Sequence, residues 1–240
     1  MKIKKWWRKF KNLKTGWAIL VSIFALLFFL VTSIAAALLV SPAILVGADD
    51  DLMQTIVGVS LPLILFGSCI LAAWWMRKKL DKSVRETLKF KAPNKKVWWM
   101  IPAVLFSYIS VLIIVFAILQ VVNPQAVGQE QDVAEIITGL SGIKLGLMVI
   151  GAGVLTPIAE ETFFRGLLLS MYNHKLKFLA GVFIGACLFG LAHWQLNVSL
   201  DTAVFGIGLG ILTWQTESIY PAIGLHMLKN LLAVTFLLLK

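Results

Sequence analysis

Residues 144–172 read KLGLMVIGAGVLTPIAEETFFRGLLLSMY, a long apolar run with Glu160, Glu161 and Arg165 set into it. As one helix it would extend roughly 43 Å at about 1.5 Å per residue, well beyond a hydrocarbon layer of about 30 Å. A span here must tilt or kink, and Pro157 marks the place for a kink.

Further runs of the same kind lie on both sides. Expected spans fall at about 17–42, 54–76, 98–122, 144–172, 178–196, 200–214 and 219–239. The 240-residue chain is 59% hydrophobic and only 14% charged, a composition for which lipid is the solvent. The predicted fold is all-α, a polytopic membrane helix bundle of roughly seven or eight transmembrane helices. No internal repeat or soluble domain interrupts it, and Gly206, Gly208 and Gly210 suit close helix contact.

The formal charge of +10 does not point to nucleic acid, because the basic residues flank apolar segments rather than covering a soluble face. Seven of the 22 Lys and Arg lie between Lys2 and Lys14, and nine between Arg77 and Lys96. Both clusters are expected on the cytoplasmic side, with Lys4 to Lys9 anchoring to lipid headgroups. The acidic turns at Asp49 and Glu130 then face outward. The expected organisation is a basic cytoplasmic N-terminus (1–15), N-terminal spans (16–122), an extracytoplasmic loop with one amphipathic turn (123–142) and a C-terminal membrane core (143–240). The protein is expected to be multi-pass, in the plasma membrane. Cys69 and Cys187 lack disulfide or zinc-ligand spacing and read as small core residues. The 17–46 run is too long for a cleaved signal.

Charges inside lipid cost about 2.5–3.5 kcal/mol each on insertion scales, so each requires a partner or a task. Glu161 and Arg165 stand at i and i+4, the spacing of a helical ion pair. Glu160 points about 100° away and has no local cation, which suits a general base acting on water. Phe189 and His193, like His226 and Asn230, are four residues apart and so share a helix face. Counted inward from the expected cytoplasmic ends, Glu160 lies roughly 18 Å deep, His193 roughly 22 Å and His226 roughly 14 Å, so the three can meet. His174, in a short basic turn, reads as a solvated loop residue.

Glu160-Glu161 with Arg165, Phe189 with His193, and His226 with Asn230 resemble, in order and spacing, the EExxxR, FxxxH and HxxxN/D motifs of the CAAX protease and bacteriocin-processing (CPBP, or Abi) intramembrane proteases. That family includes the Ras-converting CAAX endopeptidase. The resemblance covers about 145–236. It implies an endopeptidase in which Glu160 and His193 activate water and His226 with Asn230 stabilises the oxyanion, while Glu161, Arg165 and Phe189 support them. The implied partner is a membrane-embedded or lipidated peptide or protein.

No cofactor is favoured. Glu160, His193 and His226 could instead form a three-ligand zinc site with one open position, but HExxH spacing is absent and a ligated Glu160 would no longer be a free base. Two other functions compete with proteolysis. One is a non-catalytic bacteriocin self-immunity or membrane interaction protein of the same family. The other is a proton-coupled transporter, which would show paired broken helices in repeated halves.

Overall fold

The computed structural model describes Leu27, Val31, Ile34 and residues 49–239 apart from 128, 130, 131, 173 and 174. The expected first span, the basic N-terminus with its headgroup anchor, Glu130, His174 and Lys240 lie outside the described residues. Within these residues every regular element is a helix. In chain order they are α1 (Asp50–Leu80), a short α2 (Val84–Thr87), α3 (Val97–Val122), a short α4 (Pro124–Val127), α5 (Asp132–Gly139), α6 (Gly142–Leu168), α7 (Lys175–Leu191), α8 (Leu196–Thr216) and α9 (Tyr220–Leu238). Of these, α1, α3, α6, α8 and α9 are long and apolar enough to cross a bilayer, while the apolar part of α7, Phe178–Leu191, is shorter. The protein is an integral membrane helix bundle.

The ends of the helices follow from local chemistry. Asp49 caps α1 by accepting from the Leu52 amide at 2.6 Å, and Lys144 reaches both Asp49 oxygens at 3.0 Å. This ties the start of α6 to the start of α1. At its other end α1 stops at Asp81, whose φ of 52° turns the chain back. The basic segment that follows is ordered as a strap. Ser83 and Glu86 form a reciprocal capping box for α2. Leu88 is fully buried in a core it shares with Phe163, Phe164 and Leu167 of α6.

The strap then crosses the α8–α9 turn. Asn94 donates through Nδ2 to the Gln215 carbonyl at 2.8 Å, the Ile219 amide donates to the Lys89 carbonyl at 3.3 Å, and Lys91 pairs with Glu217 at 2.7 Å. Trp98 and Trp99, at the start of α3, are exposed where interfacial aromatics are favoured.

The expected glycine face on α8 packs closely on both sides. A Cβ on Gly208 would lie 2.8 Å from Val104 of α3, and one on Gly210 would lie 2.8 Å from Val182 of α7. The polar 123–142 segment is more helical than a loop with one amphipathic turn. Its α5 buries Ile137 against Met148 of α6 and Val234 of α9.

Two span limits also differ from expectation. Helix α7 stops at Leu191 rather than near 196, and α8 begins at Leu196 rather than 200. Gly190 lets the two helices cross so closely that a Cβ there would sit 2.4 Å from the Ser199 carbonyl. A tight turn at Trp194, with φ of 59°, is the consequence.

Candidate active site

The paired glutamates sit on a six-residue α-helical island, Thr156–Glu161, between two wider π-helical stretches, Gly151–Leu155 and Thr162–Leu168. The disturbance expected at Pro157 is therefore taken up by widened turns. In the first of them the Thr156 amide donates to the Gly151 carbonyl five residues back. The next bond in that register would run from residue 157 to Ala152, and proline has no N–H to give. Asn230 supplies the missing donor from α9, through Nδ2 to the Ala152 carbonyl at 2.9 Å. Its side chain thus fixes α9 against the opened turn of α6, with one amide hydrogen committed to that bond.

Glu161 is fully buried. Its Oε1 accepts from Arg165 Nη1 at 2.8 Å, as the i, i+4 spacing predicts, and also from His226 Nδ1 at 2.9 Å. Arg165 uses Nη2 to reach the Gly206 carbonyl at 3.0 Å. Gly206 is required there, since a Cβ would lie 3.0 Å from that same nitrogen. A chain of charge-assisted bonds therefore joins α8, α6 and α9 through buried groups.

A carboxylate can only accept, so the His226 Nδ1 carries hydrogen and the ring is held with Nε2 directed elsewhere. Nε2 lies 3.8 Å from Glu160 Oε2. Glu160 makes no hydrogen bond of its own among the described residues, and its side chain is 18% exposed against 0% for Glu161. The two adjacent carboxylates thus have opposite surroundings.

His193 stands two residues beyond the end of α7 rather than within it. Its Nδ1 lies 2.8 Å from the Phe189 carbonyl, four residues earlier. A carbonyl only accepts, so this nitrogen too carries hydrogen and Nε2 keeps its lone pair. The Phe189 ring stands edge-on to both imidazoles, with centroids 5.1 Å from His193 and 5.7 Å from His226, and the Arg165 guanidinium lies 4.8 Å from its centre. Phe205 closes the far side of His226 at 5.8 Å. Glu160 and His193 are not hydrogen-bonded to each other.

Glu160, Glu161, Arg165, His226, Phe189 and His193 are thus linked through direct contacts, with Asn230 bracing the helix that carries the glutamates. Two contacts could not be read from spacing. One is the bond between Glu161 and His226, 65 residues apart in the chain. The other is a second intramembrane cluster, in which Asp201 accepts from Lys229 at 2.7 Å and from the Tyr108 hydroxyl. The Lys229 ammonium lies 5.1 Å from the Phe205 ring, placing this cluster one aromatic ring away from His226. The rule that a charge inside a span needs a partner would have singled out both Asp201 and Lys229.

For a metal, Glu160, His193 and His226 are the donor set to consider. The described residues contain no group of three or more His, Cys, Asp or Glu side chains gathered to hold an ion. His226 is also turned so that Nδ1 serves Glu161, which leaves only Nε2 as a donor to any ligand. A carboxylate on Nδ1 with Nε2 left over is also how a zinc-ligating histidine is braced, so the orientation of this ring by itself does not separate a metal-free site from a metal-bound one.

Residues 142–232 match the family model described as Rce1-like, type II CAAX prenyl endopeptidase Rce1-like. No curated protein and no solved structure matches the chain. The matched segment runs from the start of α6 into α9 and includes every residue of the glutamate–histidine network described above. Helical membrane architecture, motif order and family model agree over residues 142–232, which are similar to the Rce1-like family of type II CAAX prenyl endopeptidases.

Proposed function

We propose that the chain is an intramembrane endopeptidase that hydrolyses a peptide bond in a membrane-embedded or lipidated peptide by a metal-free, glutamate-dependent mechanism. The observation that supports this most directly is the contrast between the glutamates. Glu161 is locked by Arg165 and His226, whereas Glu160 makes no hydrogen bond among the described residues and lies 3.8 Å from His226 Nε2. A base that must take a proton from water needs that freedom.

In the proposed reaction a water donates one hydrogen to Glu160 and the other to the lone pair on His193 Nε2. The oxygen adds to the peptide carbonyl as Glu160 takes the proton. His226 carries a proton on each ring nitrogen in this step, donating from Nδ1 to Glu161 and from Nε2 to the oxyanion, so that the donor is already aimed before charge develops. Collapse of the tetrahedral intermediate breaks the C–N bond, and the proton held by Glu160 passes to the departing amine. Asn230 acts here chiefly as a positioning residue, holding the opened turn of α6 beside α9. Its second amide hydrogen remains available to the oxyanion.

A zinc mechanism makes different demands. Chelation should then abolish activity, one equivalent of zinc should restore it, and purified enzyme should hold about one ion per chain. On the glutamate mechanism activity survives exhaustive chelation of detergent-purified protein, and metal analysis finds well below one ion per chain. The rate falls on the acid side of the pH profile as Glu160 takes up a proton and ceases to be a base. Loss on chelation that is reversed specifically by zinc would reassign His193 and His226 as ligands.

A further inference from the structure

We infer that Lys229 and Asp201 are positioning residues for the reaction, which hold His226 at its working angle by fixing the rotation of α9 and by backing the Phe205 ring. This rests on the protease reading and adds the residues that set the aim of its oxyanion donor.

Three polar side chains of α9 stand close together at the site, and each reaches another helix. His226 bonds through Nδ1 to Glu161 of α6 at 2.9 Å, Lys229 pairs with Asp201 of α8 at 2.7 Å, and Asn230 donates to the Ala152 carbonyl of α6 at 2.9 Å. At about 100° per residue, Lys229 stands about 60° to one side of His226 and Asn230 about 40° to the other. The histidine therefore lies between two tethers that lead to different helices. Its own bond at Nδ1 leaves the ring able to pivot about that nitrogen, and the flanking tethers hold the helix that carries it.

The same pair acts through an aromatic ring. Asp201 and Phe205 are four residues apart on one face of α8. Asp201 accepts from Lys229 through Oδ2 and from the Tyr108 hydroxyl of α3 through Oδ1, so both of its oxygens are engaged. The Tyr108 ring lies 5.0 Å from the buried Phe205 ring, and the Lys229 ammonium 5.1 Å from its centre. Phe205 in turn stands edge-on to His226 at 5.8 Å. Its neighbour Gly206 accepts from Arg165, which keeps this part of α8 in place.

Joining α8 to α9 does not require these charges, because the short 217–219 turn already does so with Ser218 and Ile219 fully buried. A buried ion pair is weak evidence for stability but a well-attested means of fixing register. The tolerance at stake is small. Turning α9 by about 20° would move a side chain that lies about 5–6 Å from its axis by roughly 2 Å, and a misplacement of about 1 Å can slow a reaction about 10²-fold.

The test uses full-length protein in detergent with a farnesylated, internally quenched peptide as substrate. One variant makes the cluster apolar without leaving an unpaired group (Lys229→Met, Asp201→Leu and Tyr108→Phe), and a second exchanges the charges (Lys229→Asp with Asp201→Lys). The apolar variant should reach normal abundance, lower kcat by about 10²-fold and change KM by less than about threefold. The exchanged variant regains a bond between α8 and α9, so its kcat should return to within about tenfold of wild type. A second readout needs no turnover. The chain has three histidines, so the hydrogen-bonded Nδ1 proton of His226 can be assigned in protein labelled with 15N-histidine by its loss in His226→Gln. Its signal should shift or broaden in the apolar variant and return in the exchanged one.

Unchanged kcat in the apolar variant would overturn the inference, as would lost turnover with an unmoved His226 signal. So would a rise in KM of tenfold or more that exchange does not reverse, since Lys229 would then touch substrate. If the apolar variant does not accumulate, the exchanged one decides: retention of both turnover and the His226 signal supports the inference, and loss of either overturns it. If the signal responds as expected but wild type shows no turnover that depends on Glu160, the positioning of His226 stands and the protease reading falls.

Discussion

Glu160→Gln should abolish proteolysis while leaving the protein in the membrane at normal abundance. Positioned general bases contribute about 10²–10⁴-fold, and this one is asked to generate the nucleophile, so the loss should fall at the upper end. The substitution keeps the shape of the side chain and disturbs no hydrogen bond, because Glu160 makes none among the described residues. Stability should therefore change little. His193→Ala should remove activity as well, since its Nε2 is the acceptor paired with Glu160 in the proposed step. The measurement is a comparison of membrane peptides from cells carrying wild type, Glu160→Gln and His193→Ala, with protein abundance measured in the same membranes. Near-normal turnover in either variant would show that the assignment of roles is wrong.

Arg165→Ala should instead fail through stability. It removes the cation that pairs with a fully buried Glu161 and frees the Gly206 carbonyl from its donor. Removing one member of a buried pair costs about 3–5 kcal/mol. For a chain of this size that corresponds to a fall in Tm of roughly 10 °C in detergent. Arg165→Lys keeps the charge but cannot reach Glu161 and Gly206 with two separate nitrogens in the same fixed plane, so it should recover only part of the loss. An Arg165→Ala protein with the thermal stability of wild type would mean that His226 and water suffice to hold Glu161.

The helical architecture was legible because lipid imposes one requirement on every span, and uninterrupted apolar runs meet it visibly. The ion pair of Glu161 with Arg165 was legible for a similar reason, since i, i+4 spacing encodes contact within a helix. The bond from Glu161 to His226 was not, because it depends on how α6 and α9 are rotated against each other. Nor could periodicity separate a proline kink from two π-helical stretches, as both leave the same apolar residues in the same order. The expectation that His193 lies within a helix failed at Gly190, where the approach of α8 ends α7 early. His193 nevertheless keeps its link to Phe189 through a local backbone contact, so the four-residue spacing led to the right neighbour by a different geometry.

The widened turns on either side of Glu160 and Glu161 make the count of residues in α6 as consequential as their identity. Each π-helical stretch takes up more residues per turn than an α-helix would. Removing one residue from Gly151–Leu155 would let that stretch relax to α-helical winding with its flanks in nearly the same register, but it would press the ring of Pro157 against the carbonyl four residues before it and kink α6 there. The kink would carry Ala152 away from Asn230 and strain the anchoring of α6 to α1 through Lys144 and Asp49. In an alignment of relatives, a one-residue gap here would therefore signal a different setting of the active site, even with every motif residue intact. Length in this segment is a form of information that motif matching does not read.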